Sequence, residues 1–300
     1  MRQATSPDHT RKPHPASTAA QAPSLTIHAD PVLERALGYP YPAPDHAYLY
    51  WRGRAFPLPE HNNAMRPRAA VEYLLARGEL PSSLATLLHR NREEGIAAMD
   101  ERHPVLACGS NRAPDRLAQK YGASLPDAII PVTRITVYDH AVCYAATVTR
   151  YGAIPATVTP CPGAHAELMV TWLTDRQLAI MNETEDLGVV YALEPIPPEA
   201  VCGQNIPLLS YRAIPGLFQD ARKTPIALAA VPQALPGDLR IRHEEDVLTS
   251  LHALCREEWK LIPETPRSFP AFVHRLVKDV GFRHAVTAQL AAQAQKPPTG

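Results

Sequence analysis

The chain has 300 residues, 45% of them hydrophobic, and its 30 Lys+Arg balance 30 Asp+Glu to a formal net charge of zero. That is enough apolar material for one large domain or two small ones, and the neutral balance gives no pull toward nucleic acid or an anionic membrane. The 32 prolines, about twice ordinary usage, predict many loops and short elements.

Residues 1–24 hold Ser, Thr, Ala, Pro and scattered charge with almost no large apolar side chains, which predicts a disordered tail. A cleaved transit segment is the alternative there, weakened by Asp8. The first residues lack the apolar core of a signal peptide, and no stretch is apolar for long enough to span a bilayer. Cys108, Cys143, Cys161, Cys202 and Cys255 form no C-x-x-C pair. Neither a disulfide framework nor a zinc ribbon is indicated, and a reducing cytoplasm is expected.

Residues 25–100 read as a Pro- and aromatic-rich arm followed by helices that pack on a core. Tyr39, Tyr41, Tyr48, Tyr50, Trp51 and Phe56 fall within it. A short helix is expected over 69–77, and a longer one from Ser82 or Ser83 through Asp100.

Residues 101–231 carry the stretches with chemical content. Val105–Cys108 reads as a buried strand, Gly109-Ser110-Asn111 as a turn, and Pro114 as the first residue of a helix ended by Gly122. A strand, a turn and a helix start leave several backbone N–H groups around one small space, which suits a carboxylate or a developing oxyanion. Strands follow at 128–132, 134–149 (interrupted near Asp139-His140), 154–159 and 167–173, the last two separated by a Pro162-Gly163 turn. Thr174 and Gln177 form a capping box for the next helix. That helix ends in Glu183, Glu185 and Asp186, the end where the dipole is already negative. Such acids make a solvated turn, or one of them points inward with its pKa raised by burial and neighbours, ready to carry a proton. Strands at 189–193 and 225–231 close the region. Residues 232–300 read as a helical extension, with helices at 243–258, 269–280 and 283–293.

Tests for other chemistry come out negative. His243-Glu244-Glu245 lacks the second His of a zinc protease helix, so no metal is expected. The GSN turn has no following G-K-[ST], and Ser110 is not in G-x-S-x-G. Cys108 with His103 or His140 could form a thiol amidase, although a lone strand-end Cys is more often a small buried hydrophobe.

The segments ACGSNRAPDRL (107–117), YGAIPATVTPCPG (151–163) and LTDRQLAIMNETED (173–186) resemble, in order and spacing, the gamma-glutamylcyclotransferase-like superfamily. The resemblance spans roughly residues 104–231. It implies an α+β fold: a small mixed β-barrel with flanking helices, here with added N- and C-terminal segments. It implies an enzyme of the transferase or lyase type, needing no cofactor, whose small-molecule partner is a γ-glutamyl amide or a related amide. The resemblance assigns substrate binding to Cys108, Gly109, Ser110, Asn111 and Arg112, and the acid/base to Glu185, with Glu183 as the alternative register. Departures fall at Cys108, where the family usually has Tyr, at Arg112, where it often has an apolar residue, and at Leu168, where it commonly has Gly. A leucine there could fill part of the pocket. A catalytically silent binding or interaction protein on the same fold is the competing reading.

Overall fold

The computed structural model describes residues 30–59, 66–201, 207–220, 222–237, 239–259, 262 and 264–294. The tail expected over 1–24 lies outside the described residues, as does Cys202.

The elements run as follows. Helix α1 (Pro31–Leu37) precedes the hairpin β1 (Tyr48–Trp51) and β2 (Arg54–Pro57). Helices α2 (Pro67–Ala76) and α3 (Ser82–Arg90) then lead to a 3₁₀ turn and β3 (His103–Ala107). Helix α4 (Pro114–Tyr121) is followed by two long strands, β4 (Ile129–Tyr144) and β5 (Ala156–Leu173), and then α5 (Asp175–Thr184). Five short strands come next: β6 (Tyr191–Pro195), β7 (Leu209–Ala213), β8 (Ile226–Leu228), β9 (Gln233–Ala234) and β10 (Arg240–Arg242). Helices α6 (Glu244–Ala253), α7 (Phe269–Lys278) and α8 (Val280–Gln293) end the described chain.

The protein is a mixed α+β structure on a 10-stranded sheet whose main path is β10-β8-β4-β5-β3-β7-β6, with β1 added to β4 and β9 to β5. The β3–β7 and β10–β8 pairs are parallel and the others antiparallel. Among the described residues no pairing joins β10 to β6. Closure of the expected barrel is thus not detected along this path among the described residues, and its end strand β10 is only three residues long.

Several expected boundaries move for physical reasons. The helix expected through Asp100 stops at Arg90, because the Asn91 side chain accepts from the Glu93 and Glu94 N–H groups at 2.9 and 3.0 Å and so offers the backbone an alternative to the helix. The strands expected at 128–132 and 134–149 are one strand, β4, and those at 154–159 and 167–173 are one strand, β5. Pro162-Gly163 is a bulge rather than a turn. Tyr138 pairs with His165 and His140 with Pro160, so Asp139 alone faces residues 161–164. Asp139 takes φ +54, Gly163 takes φ +82, and the Asp139 carboxylate accepts from the Gly163 N–H at 2.7 Å. This irregularity changes which side of β4 faces the large core. Before it the core residues are Ile135 and Val137, and after it Val142 and Tyr144. On β5 they stay at even positions throughout, from Ala156 and Val158 to Leu168 and Val170.

That large core joins β4 and β5 to α6, α7 and α8 through Val247, Leu248, Leu251, Phe272, Leu276 and Val286. A second cluster, with Leu117, Tyr121, Ile130, Met181 and Tyr211, holds α4 and α5 to the other part of the sheet. The β1–β2 hairpin, α2 and α3 form a third with Ile129 of β4.

Glu244, at the start of α6, is 3% exposed. One of its oxygens accepts from the Ile154 N–H at 2.6 Å, and the other is buried without a partner. Burial pushes this carboxyl well above its ordinary value, opposed by the Ile154 hydrogen bond. A carboxyl raised in the folded state adds stability below its unfolded value of about 4.3 and loses it as pH rises through the folded value. Glu244→Gln should therefore match the parent near pH 4 in relative terms and gain on it steadily toward pH 8. A stability difference that stays flat across that range in denaturant titrations would count against a protonated Glu244.

Candidate active site

The turn after β3 is built as the sequence suggests. Gly109 leads into a 3₁₀ turn over Ser110–Arg112, and Pro114 opens α4. The Ser110 carbonyl accepts from Ala113, but the N–H groups of Gly109, Ser110 and Asn111 donate to no other described residue. Proline at the first helical position fits because that N–H would be unpaired anyway.

Helix α5 starts on the expected capping box: Thr174 accepts from the Gln177 N–H, and Gln177 accepts from the Thr174 N–H. Ten residues on from the cap, the helix ends at Thr184, with Glu185 as its last capping residue. This end lies against the GSN turn. The Asn111 Nδ2 donates to Glu185 Oε1 at 3.2 Å, and the Asn111 Oδ1 is buried with no partner. Both segments line one cavity of about 800 Å³.

Lys120 of α4 shapes this corner, and sequence reasoning missed it. Its side chain is 2% exposed, against 17% for Glu185. Its ammonium ion-pairs with the Glu185 carboxylate and donates to Thr184 Oγ1 at 2.7 Å. Burial lowers the Lys120 pKa, and the Glu185 charge opposes that fall. Glu183 also lines the cavity but is exposed at its edge.

Cys108 lines the cavity at 9% exposure. Burial first, then the Glu185 charge, push its thiol up to about 12. His103 bonds to Asp175 at 2.5 Å and His140 to the Tyr138 carbonyl at 2.9 Å, and neither lines the cavity. The thiol amidase arrangement thus has no paired base, and its nucleophile is held protonated. Arg112 stands outside the lining: its Nη2 donates to the Ala230 carbonyl at 2.8 Å, while its own carbonyl accepts from Tyr48 at 2.6 Å. Leu168 does not plug the cavity. It is 4% exposed within the large core.

A second unforeseen residue is Tyr39, from the loop after α1. It is buried, lines the cavity, and its hydroxyl accepts from the Ala156 N–H at 2.7 Å. The Ala156 carbonyl in turn accepts from Tyr191 at 3.0 Å. Burial raises both tyrosines well above their ordinary value, so they stay neutral donors. A Cβ on Gly109 would stand 2.3 Å from the Tyr39 hydroxyl. Gly109→Ala is therefore expected to destabilise the protein by about 1–3 kcal/mol through overpacking, and Tyr39→Phe should recover part of that loss. A double variant no more stable than Gly109→Ala in thermal melts would refute this account of the contact.

Among the described residues no cluster of three His, Cys, Asp or Glu side chains could hold a metal ion, and no helix is long and apolar enough to cross a membrane. The chemistry available is one ion-paired carboxylate beside a turn with free amide donors.

No family model and no curated protein sequence matches the chain. Among solved structures it is similar to one titled "Gamma-glutamyl cyclotransferase", at a TM-score of 0.31 and 12% identity, over 66% of this chain and 91% of that one. A likeness of this size fixes neither activity nor substrate.

Proposed function

We propose that the protein acts on a γ-glutamyl-type amide by intramolecular cyclisation, releasing 5-oxoproline and an amine. The observation that carries this reading is the 3.2 Å hydrogen bond between Asn111 and Glu185, which joins the proton carrier to the amide-lined turn within one cavity. On this reading Gly109, Ser110 and Asn111 keep the binding role and Glu185 the acid/base role that the resemblance gives them, while Arg112, outside the cavity lining, does not.

The reaction asks little of the protein. The substrate's α-amine attacks its own γ-carbonyl, so a C–N bond forms within the substrate and the amide C–N bond breaks. Proximity is built into the substrate, and no protein nucleophile is needed, in keeping with a Cys108 thiol held neutral. Glu185 takes the proton from the attacking amine and returns it to the leaving amine. The N–H groups of Gly109, Ser110 and Asn111 receive the oxyanion. Lys120 holds the Glu185 carboxylate in place, and the unpartnered Asn111 Oδ1 is free to accept from the substrate's α-amine.

Glu185 is preferred over Glu183 because it is the carboxylate bonded to Asn111 and Lys120. A binding-only role would be favoured by a solvent-facing Glu185 or a Leu168 side chain in the cavity, and the geometry has neither. The direct test is incubation with a panel of γ-glutamyl amides and detection of 5-oxoproline by mass spectrometry. Silence across the panel, with binding intact, would return the protein to the binding-only reading.

A further inference from the structure

Once Lys120 is matched by Glu185, one buried cation in the cavity wall is left over. Arg116, in the first turn of α4, lines the cavity at 8% exposure. Its Nη1 donates to the neutral Gln119 Oε1 at 2.5 Å, and its guanidinium carbon lies 5.5 Å from the centre of the Tyr151 ring. Its Nε is buried and has no acceptor.

The other arginines on the cavity differ. Arg283 donates to the carbonyls of Leu276 and Val277 at 2.7 and 3.1 Å, and Arg150 is exposed. A guanidinium taken out of water without a carboxylate is an unfavourable arrangement. Its planar fork matches a carboxylate through two parallel hydrogen bonds. The cavity volume of about 800 Å³ falls in the range of about 300–1,000 Å³ that encloses whole drug-sized ligands. It therefore has room for a group beyond the glutamyl part.

We propose that Arg116 is a specificity-determining residue, anchoring a carboxylate carried by the amine half of the ligand. The cavity then selects γ-glutamyl amides whose leaving amine bears an acid over those whose leaving amine is uncharged. This rests on the γ-glutamyl reading of the site, and the experiment separates the two.

γ-Glutamylglycine and γ-glutamylmethylamide differ by one carboxylate. The parent should favour the former by about 10- to 100-fold in kcat/KM, the worth of a charge-assisted bidentate contact. In R116Q that ratio should collapse toward one, mainly through KM for γ-glutamylglycine. R116K, which keeps the charge but not the fork, should fall between them. A parent ratio near one, or a ratio unchanged in R116Q, overturns the proposal.

Low-millimolar sulfate, compared with chloride at equal ionic strength, probes the anchor without γ-glutamyl recognition. A sulfate-dependent rise in melting temperature that R116Q loses supports the anchor even if neither amide is turned over, in which case only the reaction reading fails. An equal rise in both proteins, or none in the parent, overturns the anchor whatever the activity.

Discussion

Glu185→Gln is expected to lower 5-oxoproline release by about 100- to 10,000-fold, the usual weight of a positioned acid/base. The amide can still accept from Asn111, so the GSN turn keeps its neighbour while the proton carrier is lost. The same change strips Lys120, 2% exposed, of its counter-ion. Breaking a buried pair from one side destabilises by roughly 3–5 kcal/mol, reduced here because burial already eases the Lys120 proton off. The double variant Glu185→Gln with Lys120→Met should therefore regain melting temperature without regaining activity. Calorimetry beside the 5-oxoproline assay reads both effects, and a single variant that turns over at the parent's rate removes Glu185 from the mechanism.

Arg102→Met is expected to produce the largest loss of stability. Arg102 has a side chain 1% exposed, and its Nη1 donates to the carbonyls of Ile129 and Trp172 at 2.6 and 3.2 Å while its Nη2 donates to that of Glu94 at 2.8 Å. The Glu94 carboxylate stands 4.0 Å away and accepts from the Ile129 N–H at 3.0 Å and from Gln177 at 2.5 Å. Burial lowers Arg102 to about 10 and raises Glu94, so each charge depends on the other. Methionine would leave a buried carboxylate and several carbonyls unmatched, a loss of about 3–5 kcal/mol. The network ties the segment before β3 to β4, β5 and α5, so denaturant unfolding should show one cooperative transition at a lower midpoint. A loss under about 1 kcal/mol, the level of an exposed pair, would show that the network is solvated.

What could be read from the sequence was local. The Thr174–Gln177 cap and the Gly109–Pro114 junction each lie within a few residues, and both stand where expected. The β1–β2 hairpin escaped notice because its turn is Arg52-Gly53, with φ +48 and +75. That is the primed geometry usually announced by Asn-Gly or Asp-Gly, and an arginine in the left-handed region gives no such signal. Pro162-Gly163 reads as a turn between two strands, and only the partner strand reveals that the ladder resumes beyond it. Lys120 and Tyr39 were invisible for a related reason. Each reaches its partner across 65 and 117 residues, and nothing in their neighbours' identities announces a cavity. A lysine one residue before Tyr121 on a short amphipathic helix looks like a solvated charge until α5 is laid against it.

The bulge at Asp139 sets how this ribbon tolerates change in length. A different side chain at 139 alters one hydrogen bond to Gly163 at the surface. Losing the residue altogether would let β4 alternate without a break from Ile135 to Tyr144, which keeps Val142 and Tyr144 on the side of Ile135 and Val137. The irregularity thus holds one residue of slack: a single in-frame codon deletion there can be absorbed by straightening the strand, whereas a β-branched side chain at 139 would be strained at φ +54.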